Sequence, residues 1–176
     1  AARPRRRSAT FVQRLHAAAS GGEPAALRSV LHRKEDGGLT REEVNWPDAK
    51  GNTAMHMACM KGSEAVVRVL TSDERVNSMA TNSRGSTPLH DACTKGNTQV
   101  AMHLIAACRA GRLRDGDGNV VKITDMLAAR TSATNKTPLD RARDFKHADI
   151  VAYIDEVMKE VELSGEGDAG AGAGAG

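Results

Sequence analysis

The segment Gly51–Gly62 returns 34 residues later as Gly85–Gly96, with Gly, Thr, His, Ala, Cys, Lys and Gly repeated at one offset. Seven identities in so short a stretch mark a chain built from a repeated unit, and that excludes most folds at once. A weaker copy lies 50 residues further on, at Thr137, Pro138, Leu139, Asp140, Arg141 and Ala142. A degenerate copy lies 40 residues upstream, running from Leu15 and His16 to Gly22. A unit this small cannot bury its own apolar face, so the units must stack.

The order within each copy is constant: a polar stretch, Thr-Pro or its equivalent, a short apolar helix, Gly, and a second apolar helix. Thr87 suits an N-cap and Pro88 is preorganised for the first helical turn. Leu89, Ala92 and Cys93 recur at helical spacing and form one face of a helix about two turns long. Gly96 ends it, because glycine takes the left-handed conformation at low cost. The second helix then shows Val100, Ala101, Leu104 and Ile105. Its counterparts are Val66, Val67, Val69 and Leu70 in the preceding copy, and Ile150, Val151 and Ile154 in the last. Aromatics are only 2% of the chain, so the core is built from small aliphatic residues, which suit closely packed helix pairs.

The motif Gly-x-Thr-Pro-Leu-His-x-Ala at a period near 33 resembles the ankyrin repeat, and the resemblance covers about residues 11–160. It implies an all-α fold, an α-solenoid of stacked helix-turn-helix repeats with β-turn fingers. Four units follow: a capping unit 11–47, a regular unit 48–81, a unit 82–130 with a long insertion, and a closing unit 131–163. The capping unit keeps Leu15, His16, Ala18, Gly22, Leu27 and Val30. The closing unit departs from the motif at Asn135, Asp140 and Lys146. Asn tolerates the left-handed conformation, but Lys in place of Gly predicts a strained or reshaped turn. The two long spacings place insertions at His32–Thr40 and Arg109–Thr124. The second has turn residues between apolar ones and reads as an elongated loop or small hairpin projecting from the stack, with few apolar anchors.

The net charge of +3 hides an asymmetry, since residues 1–34 carry +7 and the remainder −4. We expect 1–10 to be a disordered basic head and 164–176 a disordered Gly/Ala tail, neither having enough apolar surface to order itself. The head reads in three ways: a solvated tail, a nuclear-import or anion-binding patch with Ser8 placed for a basophilic kinase, or a mitochondrial leader. A leader would consume the start of the capping unit. No apolar run approaches the ~18 residues that a membrane span needs. Three cysteines, two at equivalent repeat positions, indicate buried thiols in a reducing compartment. The expected location is cytoplasmic or nuclear, with the mitochondrion as the alternative.

Two His-x-x-Cys pairs, His56/Cys59 and His90/Cys93, have a spacing that suggests zinc. Both fall on the inward helix face, and packed helices hold such pairs ~8–10 Å apart, too far for ligands within ~2.3 Å of one ion. Asp115, Asp117, Gly118 and Asn119 have part of a calcium-loop pattern, but the twelfth position is Met126 instead of Glu, so a plain Gly-rich turn is expected. No metal site, cofactor or small-molecule substrate is implied. A slightly acidic body poor in aromatics argues against nucleic acid.

The expected function is non-enzymatic binding of another protein by a monomeric adaptor, inhibitor or scaffold, an inference the family resemblance carries. The alternative is an orphan enzyme or redox protein using Cys108, expected to be exposed near a helix end beside Arg109. In families of this type the concave face of fingers and first helices holds the partner. Here that face would carry a basic stripe of Lys50 and Arg84, with Lys136 two positions along its own finger, and Lys61 and Lys95 just before the glycines. Asn52, Met57, Met60, Ser86, Asp91, Thr94, Arg141, Asp144 and Phe145 would tune it. The plain explanation of Lys61 and Lys95 is that cations suit a helix C-terminus.

Overall fold

The computed structural model describes residues 6–32 and 39–164. Residues 1–5 of the basic head, the insertion from residue 33 to 38 and the Gly/Ala tail from 165 lie outside the described residues, whereas residues 6–10, expected to be disordered, form the first turns of a helix. Among the described residues ten helices run in chain order: α1 Arg6–Gly21, α2 Pro24–Leu31, α3 Arg41–Val44, α4 Ala54–Lys61, α5 Glu64–Thr71, α6 Pro88–Lys95, α7 Thr98–Arg109, α8 Ile123–Ala128, α9 Pro138–Asp144 and α10 Ala148–Ser164. The described residues contain no strand, only isolated bridges from Arg114 to Asn77 and to Val120. First helices α1, α4, α6 and α9 pack in one row and second helices α2, α5, α7 and α10 in another. Each helix therefore finds its apolar partner in the neighbouring unit, which is what makes the stack an α-solenoid.

The repeat residues do their work where the pattern places them. Leu89, Ala92, Cys93, Leu104 and Ile105 are fully buried, as are Val66, Val67 and Leu70. Gly62 and Gly96 close α4 and α6 in the left-handed conformation. A Cβ on Gly62 would come within 2.6 Å of Asn97 Oδ1, so close packing of the next unit demands glycine as much as the turn does. In the closing unit Asn135 and Lys146 take positive φ, 51° and 60°. The turn at Lys146 thus keeps the left-handed shape that glycine has elsewhere and is strained without being reshaped.

The closing unit also changes its outer face. Arg143 and Asp155 stand 50 residues after Cys93 and Ile105, which are both fully buried, and they pair with each other at 3.0 Å. A charged pair thus stands where the preceding unit buries Cys93 and Ile105, giving the end of the stack a polar surface.

The insertion after α7 forms a hairpin but does not project freely. Leu113, Val121 and Met126 are buried, and Ser78 N–H donates to Arg114 C=O at 2.8 Å. Arg41 reaches across to Glu74 C=O at 2.9 Å and Asp115 C=O at 3.4 Å. Few apolar anchors were expected because the glycines at 116 and 118 dominate the composition of the tip. The residues flanking that tip bury instead. They dock it on the loop between α5 and α6.

Candidate functional site

Each finger is a five- or six-residue turn stapled by its first side chain. In the first, Asp48 Oδ1 accepts from the N–H groups of Lys50 and Asn52, both at 2.8 Å. In the second, Asn82 Oδ1 accepts from Arg84 and Ser86 at 3.0 and 3.2 Å. The third is one residue longer and closes from Thr131 to Lys136. Neighbouring fingers are joined main chain to main chain: Ser83 N–H donates to Lys50 C=O at 3.0 Å and Ala133 N–H to Arg84 C=O at 3.4 Å. Lys50 and Arg84 are thereby fixed in backbone, and of their side chains only that of Arg84 is paired, with Asp91.

The repeat histidines position the fingers over the first helices. His56 Nδ1 accepts from Thr53 N–H at 3.2 Å, which leaves Nε2–H to donate to Ser86 C=O at 2.9 Å. His90 does the same, from Thr87 N–H at 3.2 Å to Lys136 C=O at 3.0 Å. His16 reaches Trp46 C=O, just before the first finger, at 2.8 Å. Burial pushes all three below the ordinary imidazole range, His90 to about 4. The bonding agrees, since a proton on Nδ1 would oppose the threonine N–H. Asp140 retains the cap, accepting from Thr137 N–H at 2.9 Å, but has no second arm for a following finger.

The predicted surface residues separate into three groups. Lys50, Lys61 and Lys95 are exposed and form no ion pair among the described residues. Phe145 is 50% exposed and stacks on His147, centroids 6.5 Å apart. Arg84, Lys136, Arg141, Asp144, Met57 and Thr94 are reachable but held, and Met60 is half-buried. Lys136 pairs with Asp144 at 2.8 Å, and Arg84 with Asp91 at 3.4 Å. Arg141 donates from Nη2 to the Thr134 hydroxyl at 3.0 Å, while its buried Nε has no hydrogen-bond partner. Thr94 donates to His90 C=O at 2.8 Å, and Met57 packs partly against the core. Asn52, Ser86 and Asp91 are buried. The first two belong to the scaffold: Asn52 Oδ1 accepts from Asn82 Nδ2 at 3.1 Å, and Ser86 supplies the carbonyl for His56.

Asp91 is different, because its carboxylate is 4% exposed yet receives only two long contacts, from Asn82 and Arg84, both at 3.4 Å. Burial raises it to about 6, and the nearby Arg84, Arg141 and Lys95 only partly offset that. It lies at the same repeat position as Met57 and Arg141, in the middle of the predicted face.

Asn97 and His147 were not foreseen. Asn97 Nδ2 donates to Cys59 C=O at 2.7 Å and Met60 C=O at 3.2 Å, and His147 Nε2 lies 3.3 Å from Thr94 C=O. Both cap the first helix of the preceding unit. The signal was present in the sequence as a polar residue following the turn residue in each copy: Ser63, Asn97 and His147.

Cys108 is not exposed, although it stands near a helix end. It is buried, its Sγ donates to Val121 C=O at 3.3 Å, and burial pushes its thiol up to about 11. The docked insertion covers it, and that covering could not be read from a helix end. Cys93 is raised to about 12 and Cys59 well above its usual value, both mainly by burial. None of the three has thiolate character at neutral pH. Among the described residues no group of three or more His, Cys, Asp or Glu side chains could hold a metal ion, and no helix is long and apolar enough to cross a membrane.

Comparison with known proteins adds independent support. A family model for ankyrin repeats, in three copies, matches residues 15–112, more than half of the chain. Inversin of Gallus gallus is 41% identical over 63 residues, covering 36% of this chain and 6% of that protein. Repeats of this kind are generally non-enzymatic protein–protein interaction modules. By its repeated motif, its stacked helix pairs and its match to the family over most of that stack, the chain belongs to the ankyrin-repeat family.

Proposed function

We propose that this protein is a non-enzymatic binding module that holds an acidic segment of another protein on the face made by the fingers and first helices. One observation carries this reading: Lys61 and Lys95 stand at equivalent positions of successive units and Lys50 on the finger of the first, all three exposed and without ion-pair partners among the described residues. Stacking multiplies a single cation into a row, and a row of like charge attracts a complementary chain more than any one contact would. Asp91 adds support. A buried, weakly satisfied carboxylate costs stability, and such costs concentrate where a surface serves recognition. Burial of all three thiols removes the support for a cysteine enzyme, and it favours a reducing compartment, cytoplasmic or nuclear, as the place of action.

The test is charge reversal of Lys61 and Lys95 together, with circular dichroism verifying the fold. Affinity for a poly-glutamate peptide and for proteins captured by the wild-type chain should fall at least about tenfold. Wild-type binding should weaken steeply with salt, because exposed charges are screened beyond ~8 Å at physiological ionic strength. Unchanged affinity in the double variant would remove this face from the interface.

A further inference from the structure

Lys61, Lys95 and Phe145 hold one position in three successive units, at the C-terminal ends of α4, α6 and α9. The helix dipole accounts for a lysine there but not for an exposed phenylalanine in a chain with so few aromatics. The row is also rigid. Asn97 bonds to the end of α4 and sits against Gly62, fixing the α6 unit against the α4 unit. His147 packs on Gly96 and reaches Thr94 C=O, and Phe145 stacks on that same imidazole at an interplanar angle of 13°. Phe145 is therefore held beside the turn that carries Lys95. The neighbouring acids do not cancel the lysines: Asp144 is bound to Lys136, and Asp91 is buried beside Arg84.

Resting on the binding role proposed above, we infer that the partner segment is an extended, polyproline-II-like chain bearing two acidic side chains three residues apart and an apolar or aromatic side chain three residues beyond, seated on Lys61, Lys95 and Phe145 in turn. Packed helices stand ~8–10 Å apart. A polyproline II chain rises ~3.1 Å per residue with three residues per turn, so every third side chain lies on one side and advances about 9 Å. A β-strand does not match, since its same-face side chains advance by about 7 or 13 Å. The acids meet the unpaired ammonium groups, and the last side chain covers the open face of Phe145.

The test uses fluorescein-labelled dodecapeptides on a Pro/Ser background, read by fluorescence anisotropy at low salt. One pair places Glu, Glu and Phe at every third residue, in both chain directions. A second pair has the same composition at every second residue. The better three-spaced peptide should bind about fivefold tighter than either two-spaced one. Phe145→Ala should weaken binding of the three-spaced peptide while retaining its salt dependence, and Lys61→Gln with Lys95→Gln should weaken it while abolishing the salt dependence. Equal affinity for the two spacings overturns the proposed register while leaving an acidic-segment binder in place. Failure of the wild-type chain to bind either these peptides or poly-glutamate overturns the binding face, and this inference with it.

Discussion

At the scale of single residues, the repeat histidines and Asp91 pull stability in opposite directions with pH. His90 titrates near 4 in the folded chain and near 6.5 unfolded, so the unfolded state holds more protons between those values. Its stabilising effect is present above pH 6.5 and is lost as pH falls towards 4, by up to about 3 kcal/mol. His16 and His56 are shifted in the same direction. Asp91, raised to about 6, has the reverse sign: its contribution is present below its ordinary 3.8 and lost as pH rises through 6. His103 is lowered by burial too, so four histidines oppose one aspartate; the melting temperature should fall from pH 6.5 to pH 4, and a flat profile would sink the account. Asp91→Asn should stabilise at pH 7–8 by about 2 kcal/mol, roughly 5 °C, with the gain vanishing near pH 4. Lys146→Gly should add about 1 kcal/mol by relieving its left-handed backbone, measured by urea denaturation. Loss of stability in that variant would show that the Lys146 side chain contributes more than its backbone costs.

At the scale of elements, the insertion reproduces finger geometry away from the finger row. Asp115 Oδ1 accepts from Asp117 N–H at 3.0 Å and Asn119 N–H at 2.8 Å, as Asp48 does with Lys50 and Asn52. The sequence Asp-Gly-Asp-Gly-Asn at 115–119 follows the pattern of Asp-Ala-Lys-Gly-Asn at 48–52, with glycine at the same place. An aspartate whose carboxylate satisfies two later N–H groups makes the same turn wherever it occurs. What differs is the docking, with Leu113 and Val121 buried on either side. Leu113→Ala should therefore cost about 2–4 kcal/mol, as in a packed core. A loss under about 0.5 kcal/mol in urea melts would mean that the hairpin is a passenger. Its covering of Cys108 gives a second reading: thiol labelling of folded protein should be slow, and faster in the Leu113→Ala variant.

At the scale of the whole molecule, stability resides in interfaces between units. α6 packs on α9 and α7 on α10, and His90 needs the carbonyl of Lys136. Deleting residues from Thr131 onward removes that acceptor and uncovers the apolar sides of α6 and α7. The truncated chain should lose its cooperative melt or aggregate. A truncation that unfolded cooperatively at the parent temperature would contradict stacking as the source of stability.

The sequence alone determined the unit, its helices and its caps. Threonine, proline and glycine set local backbone geometry, and residues three and four apart share a face whatever lies around them. It also carried the closing unit's departures, because Asn135 and Lys146 stand where the repeat has glycine. Burial of Asp91, Asn52 and Ser86, docking of the insertion and covering of Cys108 were decided by tertiary structure. Each depends on which surfaces meet when unrelated stretches of chain are brought together, and no spacing along the chain encodes that contact.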